Sequence, residues 1–175
     1  MKFTKSMRFV PVLLALVIAF AAVVPAFAKT ETPTPPTIVG TALSVNQKTG
    51  EFSTLIAALQ ATNLVSYLNR ADAAFTVFAP TDAAFAKLGL NAKNIGSLPK
   101  GKLTQILLYH LRRGSLGSQG VLSRPFLMML NGDSTAISTK LDGAYINNAR
   151  IIQANIIASN GVIHVIDSVL LPPAK

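Results

Sequence analysis

The chain has 175 residues, half of them apolar, and no cysteine, so disulfides, cysteine-type zinc sites and a cysteine-linked lipid anchor are excluded. Its 16 Lys and Arg outnumber 7 Asp and Glu, a formal charge of +9 that favours anionic glycans, acidic proteins or phosphate-bearing surfaces as partners and equally serves solubility. The basic residues form no dense run, and no nucleic-acid partner is expected.

Lys2, Lys5 and Arg8 precede an apolar run from Phe9 to Val24 and the small-x-small triplet Ala26-Phe27-Ala28, the pattern of a secretory signal cut after Ala28. Pro11 and Pro25 argue against an uncleaved anchor helix, and no later stretch is long enough to span a bilayer. Residues 1–28 inflate the mean hydropathy of +0.45. They hold three basic residues and no acid, so their removal leaves +6. An exported protein is therefore expected, outside the cell or in a periplasm. Residues 29–37, K-T-E-T-P-T-P-P-T, read as an extended linker, either a spacer or a tail left by the signal, with the domain over residues 38–173.

Within the domain, Phe52, Leu55, Ile56 and Leu59, then Leu64, Val65 and Leu68, predict two helices broken at Asn63. Asp72 falls in the loop that follows. Phe75 to Ala79 has the β-branched and aromatic content of a buried strand, Pro80 keeps Ala79 extended, and Ala83 to Leu88 is built from helix formers with Phe85 and Leu88 on one face. Thr81 or Asp82 can accept from the free amides of that helix. Leu90 to Leu98 predicts only a turn or a short helix. Lys100 to Arg113 predicts a helix with Leu103, Ile106, Leu107 and His110 in one stripe, ended by Gly114, with Arg112 and Arg113 at the negative end of its dipole.

Beyond Gly114 the period changes to two. Asn131-Gly132, Asp142-Gly143, Asn147-Asn148 and Asn160-Gly161 are hairpin signals separating strands expected at 126–130, 135–140, 144–147, 150–156 and 161–170. Helices first and antiparallel strands later make an α+β domain, closed by non-local pairing with the strand at Phe75. No internal repeat of domain length is visible.

The run Thr76-Val77-Phe78-Ala79-Pro80-Thr81-Asp82, continuing to Phe85, resembles the first signature box of the fasciclin domain family. Ser159-Asn160-Gly161-Val162-Ile163-His164-Val165-Ile166-Asp167 to Pro172 resembles its closing box, and Tyr109-His110 matches its tyrosine-histidine pair. The resemblance covers about Ile38 to Pro172. It implies a single antiparallel sandwich or wedge flanked by short helices, and an extracellular adhesion or matrix-binding module that is not an enzyme. The site expected here is Tyr109 and His110 of that pair together with the neighbouring basic residues Arg112 and Arg113. In animal matrix members integrin binding is associated with the tyrosine-histidine region and with an Asp-Ile pair before the closing box. Here Ala154-Asn155-Ile156 replaces that pair, and Arg113-Gly114-Ser115 is not the Arg-Gly-Asp tripeptide. The signal and linker resemble those of a bacterial exported protein.

No nucleophile elbow, metalloprotease motif, phosphate loop or paired carboxylates are present. His110 reads as a neutral core histidine or, alternatively, as part of a binding surface; His164, alternating with Val162 and Ile166, reads as structural. Asp167 is expected to pair with a backbone amide or a basic neighbour, and Asp133 and Asp142 to be turn residues. Neither cofactor nor metal is expected. The sequence therefore predicts a noncatalytic module binding a cell-surface or matrix protein or polysaccharide, through exposed residues around Tyr109, Arg112 and Arg113. The alternative is a carrier of a small apolar ligand in a groove near Met128 and Met129.

Overall fold

The computed structural model describes residues 35–173. The expected signal and residues 29–34 of the expected linker lie outside the described residues. Three helices come first: α1 (Ile38–Thr49), α2 (Ser53–Ala61) and α3 (Leu64–Leu68). Strand β1 (Phe75–Pro80) and helix α4 (Asp82–Ala86) follow, then a 3₁₀ turn at Ile95–Ser97, helix α5 (Lys100–Leu108), strand β2 (Leu111–Arg113) and helix α6 (Ser118–Leu122). Five strands complete the domain: β3 (Phe126–Met128), β4 (Ser134–Lys140), β5 (Gly143–Ile146), β6 (Ala149–Ala158) and β7 (Gly161–Ile166).

The strands form one seven-stranded sheet in the order β2-β1-β7-β6-β5-β4-β3. The expected α+β class holds, and β3 to β7 form antiparallel neighbours. The β1–β7 pair is parallel, Phe75 beside Gly161 through Pro80 beside Ile166, which the hairpin signals do not disclose. A parallel pair needs a long crossover, and most of the domain lies between these two strands.

Both strands are buried along their whole length, and their side chains alternate between two cores. Phe75, Val77, Ala79, Ile163 and Val165 pack with α1, α2 and α5 in the larger core; Phe78 and Ile166 join Tyr109, Leu127, Met129 and Ile146 in the smaller one. Each fully buried Phe, Ile or Leu at this seam contributes roughly 1.5–3 kcal/mol, which suits a domain with no cross-link.

Strand β7 ends at Ile166 rather than at Leu170, and three helices differ from the sequence expectation. Helix α1 is unanticipated because Gly40 and the β-branched Ile38, Val39, Thr41 and Val45 are poor helix formers; tertiary capping, described below, compensates. Helix α6 contains a mid-helix Gly120 and only five residues. The helix expected to Arg113 stops at Leu108, because Leu111, Arg112 and Arg113 pair with Val77, Thr76 and Phe75, and the His110 carbonyl accepts from Phe78 N–H at 2.9 Å. Pairing at the open edge of β1 overrides helix propensity there.

Gly161 is where the seam is tightest. A Cβ at this position would lie 2.0 Å from the Phe75 carbonyl oxygen and 2.8 Å from Ile38 Cδ1, and φ is +155°. Substituting Gly161→Ala is expected to cost about 3 kcal/mol or more, or to prevent folding, because backbone rather than a flexible side chain must yield. Gly132→Ala, with φ +91° and no atom within 4 Å, is expected to cost about 1–2 kcal/mol. Urea denaturation of the two variants checks the contrast; equal losses would contradict it.

Candidate functional site

The residues of the first box are anchors. Thr76 donates its hydroxyl to the Gly114 carbonyl at 2.6 Å and accepts from Leu116 N–H at 2.9 Å, pinning the turn after β2. Phe78, Ala79 and Phe85 are buried, Pro80 ends β1, and the Thr81 hydroxyl accepts from Ala84 N–H at 3.1 Å, so Thr81 makes the expected cap of α4. Asp82 does something else. Its carboxylate accepts from Ser53 N–H at 3.0 Å and Thr54 N–H at 2.7 Å, at the start of α2, where the cap residue Phe52 has φ +69° and no capping side chain.

The closing box works in the same way. Asn160 Oδ1 accepts from Ile38 N–H at 2.8 Å, at the start of α1, and its amide donates to the Leu68 carbonyl at 2.6 Å and the Arg70 carbonyl at 3.0 Å. Asp167 accepts from Arg150 N–H at 3.0 Å, as expected of a backbone partner. Asn155, at the position of the absent Asp, sits at φ +63° within the irregular register of β6; its Oδ1 accepts from Ser118 N–H at 2.8 Å and its amide donates to the Ser118 hydroxyl, so it caps α6.

Both histidines are interior. His110, 2% exposed, donates from Nδ1 to the Ile106 carbonyl at 2.7 Å and accepts at Nε2 from Leu170 N–H at 2.9 Å. Burial pulls its pKa down to about 4, against the smaller opposing effect of the Ile106 carbonyl. His164 donates from Nε2 to the Leu116 carbonyl at 2.9 Å, accepts from Asn155 N–H at 3.3 Å and stacks on Phe78; burial lowers its pKa too, with the Leu116 carbonyl opposing. Each imidazole thus has both nitrogens committed to backbone groups.

Tyr109 was expected near an exposed surface but is 3% exposed. Its hydroxyl donates to the Ser134 carbonyl and accepts from Asn147 Nδ2, both at 3.0 Å, because the turn after α5 directs the ring into the smaller core. Arg112 and Arg113 are surface residues, on β2 rather than in a helical last turn, so they point to opposite faces of the sheet. Arg112 Nη1 donates to the Arg113 carbonyl at 2.8 Å; Arg113 Nη2 donates to the Tyr67 hydroxyl at 3.3 Å. Burial, and then the charge of Arg124, hold the Arg112 guanidinium below the ordinary arginine range. Arg124 is the neighbour that sequence reasoning missed, since nothing in the local pattern joins residues on opposite sides of α6.

The methionines do not form one groove: Met128 is 64% exposed on β3, while Met129 is 3% exposed within the smaller core. An apolar groove of about 340 Å³ does lie between α1, α2 and α3, lined in part by Val39, Ala42, Leu43, Ile56 and Val65. Among the described residues no group of three or more His, Asp or Glu could hold a metal, and no helix is long and apolar enough to cross a membrane.

The arrangement defines an α+β fold whose signature side chains are engaged in holding its helices to its sheet. The family model of the Fasciclin domain matches residues 50–172, and the chain belongs to that family. It is 44% identical over 124 residues to Protein sll1483 of Synechocystis sp., covering 70% of this chain and 68% of that protein. It is 39% identical over 142 residues to the transforming growth factor-beta-induced protein ig-h3 of Sus scrofa, covering 81% of this chain but only 20% of that relative. The fold is similar to a FAS1 domain pair from the insect cell adhesion molecule Fasciclin I, with TM-score 0.64, 19% identity, and coverage of 79% of this chain and 52% of that one.

Asp82→Ala is expected to lower stability by about 1–2 kcal/mol through the uncapped start of α2, and Asp82→Asn by less, measured by urea denaturation. His110 carries a pH dependence. Its folded pKa of about 4 lies below the unfolded value of 6.5, so the unfolded chain takes up the proton first. Its contribution is complete above pH 6.5 and is lost as pH falls toward 4, by about 3 kcal/mol. Denaturation at pH 7.5, 5.5 and 4.5 should show this slope in the wild type and a shallower one in His110→Gln.

Proposed function

We propose that this chain is an exported, noncatalytic adhesion or binding module that meets a cell-surface or extracellular matrix partner. The observation that carries the noncatalytic part is the double commitment of His110 and His164 to backbone groups, which leaves neither imidazole a nitrogen with which to move a substrate proton. Membership of the Fasciclin domain family and the likeness to a fold found in an insect cell adhesion molecule support the adhesion part.

The surface chemistry supports a charged partner. Asp82 and Asp167 are taken up by backbone amides, Asp142 by the Tyr145 hydroxyl and Glu51 by Asp82 N–H; Arg70–Asp72 is the ion pair seen among the described residues. Among the described residues, the exposed Arg113 and half-buried Arg112 of β2 therefore have no ion-pair partner, and encounter with an anionic surface is favoured. The buried Tyr109 and His110 act behind this surface by positioning β2.

Retention of the purified protein on native cell envelopes is the test. Retention at low salt, lost by about 0.5 M NaCl as screening shortens the reach of surface charges, and weakened when Arg112 and Arg113 are both changed to Ala, is the expected result. Absence of retention would refute the reading. Turnover of generic ester or glycoside substrates would remove its noncatalytic part.

A further inference from the structure

Residues 83–132 hold seven Lys and Arg and no acid, and the first four of them, Lys87, Lys93, Lys100 and Lys102, belong to the segments that border one apolar hollow. Leu88, Leu90, Leu98 and Leu171 line that hollow together with Lys102, in a volume of about 150 Å³. Lys87 precedes Leu88, and its Nζ donates to the Asp167 carbonyl at 2.7 Å, which holds it beside the segment that runs on to Leu171. Lys93 lies in the turn between Leu90 and Ile95, which Asn94 folds back on Gly89 through a bond of 2.9 Å from its amide to that carbonyl. Lys100 opens α5, two residues after Leu98. All four lysines are exposed. Among the described residues none of them is ion-paired, since Arg70–Asp72 is the pair seen there.

The leucines at the centre do not close a pocket. Leu88 is 44% exposed and Leu171 55%. Leu171 and Lys102 also border a second hollow of about 340 Å³, with Pro172 and Pro173, so Leu171 stands as a ridge between the two. Past Pro172 the surface turns polar, with Gln105, Asn131 and Asp133. A soluble polyanion would satisfy the lysines and leave these leucines in water. A bilayer with anionic headgroups satisfies both, because leucines enter the acyl boundary while lysine stems lie along it and their ammonium groups stay with the phosphates.

We propose that this face docks on a lipid bilayer carrying anionic phosphate headgroups, with Leu88 and Leu171 entering the acyl boundary and Lys87, Lys93, Lys100 and Lys102 meeting the phosphates. It goes beyond the reading built on β2, uses none of the residues of that strand, and stands or falls separately from it.

The chain has no Trp, so a single one reports its own surroundings. The emission of Leu171→Trp should shift to shorter wavelength on vesicles of equimolar phosphatidylcholine and phosphatidylglycerol and not on phosphatidylcholine alone. Phe126→Trp, at an exposed position of β3, should shift on neither. In sedimentation with the mixed vesicles, Lys100→Gln with Lys102→Gln, and separately Leu88→Ser with Leu171→Ser, should each weaken binding about tenfold or more, and Arg112→Ala with Arg113→Ala less than about twofold. Unchanged urea midpoints keep these comparisons ones of binding, and the two Trp variants retain every lysine. No binding to the mixed vesicles would overturn the proposal, as would equal binding to neutral vesicles, the result that the apolar run at residues 9–24 would give. Equal losses from the lysine and arginine pairs, or no loss from the leucine pair, would overturn it in favour of diffuse charge. A shift of Leu171→Trp with dispersed laurate but not with vesicles would give the hollow to a soluble fatty acid instead. None of these results alters envelope retention through Arg112 and Arg113, and loss of that retention with vesicle binding intact would remove the reading at β2 and leave this one.

Discussion

The contact on which the molecule depends is the parallel seam between β1 and β7, and within it the approach of Gly161 to the Phe75 carbonyl. No side chain fits there, so the two strands come close enough for both cores to be built on their two faces. Backbone bonds close the seam at each end, Phe75 N–H to the Asn160 carbonyl and Thr81 N–H to the Ile166 carbonyl. Helix α1 packs on β7 and α4 on β1, so both take their position from this pair.

The helices are in turn tied by polar side chains from outside them. Asp82 caps α2, Asn155 caps α6 and Asn160 caps α1, each bridging a long stretch of sequence to reach amides that the helix cannot satisfy itself. This division of labour explains why short helices with weak intrinsic propensity persist. It also explains why several signature residues that look like chemistry in the sequence prove to be joints. A carboxylate or amide whose oxygens accept from the free amides of a helix start is held there as a joint.

The sequence disclosed what local physics controls. The strand at Phe75, the corner at Pro80, the break at Asn63 with φ +59° and the hairpin strands after Gly114 follow from alternation, proline geometry and turn-forming pairs. It did not disclose α1, because Gly40 and β-branched residues argue against a helix that Asn160 stabilises from 122 residues away. Nor did it disclose the fate of Arg112 and Arg113. A helix and a strand compete for residues 109–113, and the decision belongs to the unpaired edge of β1, which no window around Arg112 contains. The burial of Tyr109 follows from that same decision.

Asn160 and the strand that follows it are among the last parts of the domain to be made, yet they hold the first helix. A chain emerging from a ribosome or a translocation channel with its N-terminus leading would present α1, α2 and α3 long before β7 could receive them. The cooperative state must therefore wait until nearly the whole domain is clear of the exit, and until then the first helices lack the strand that holds them.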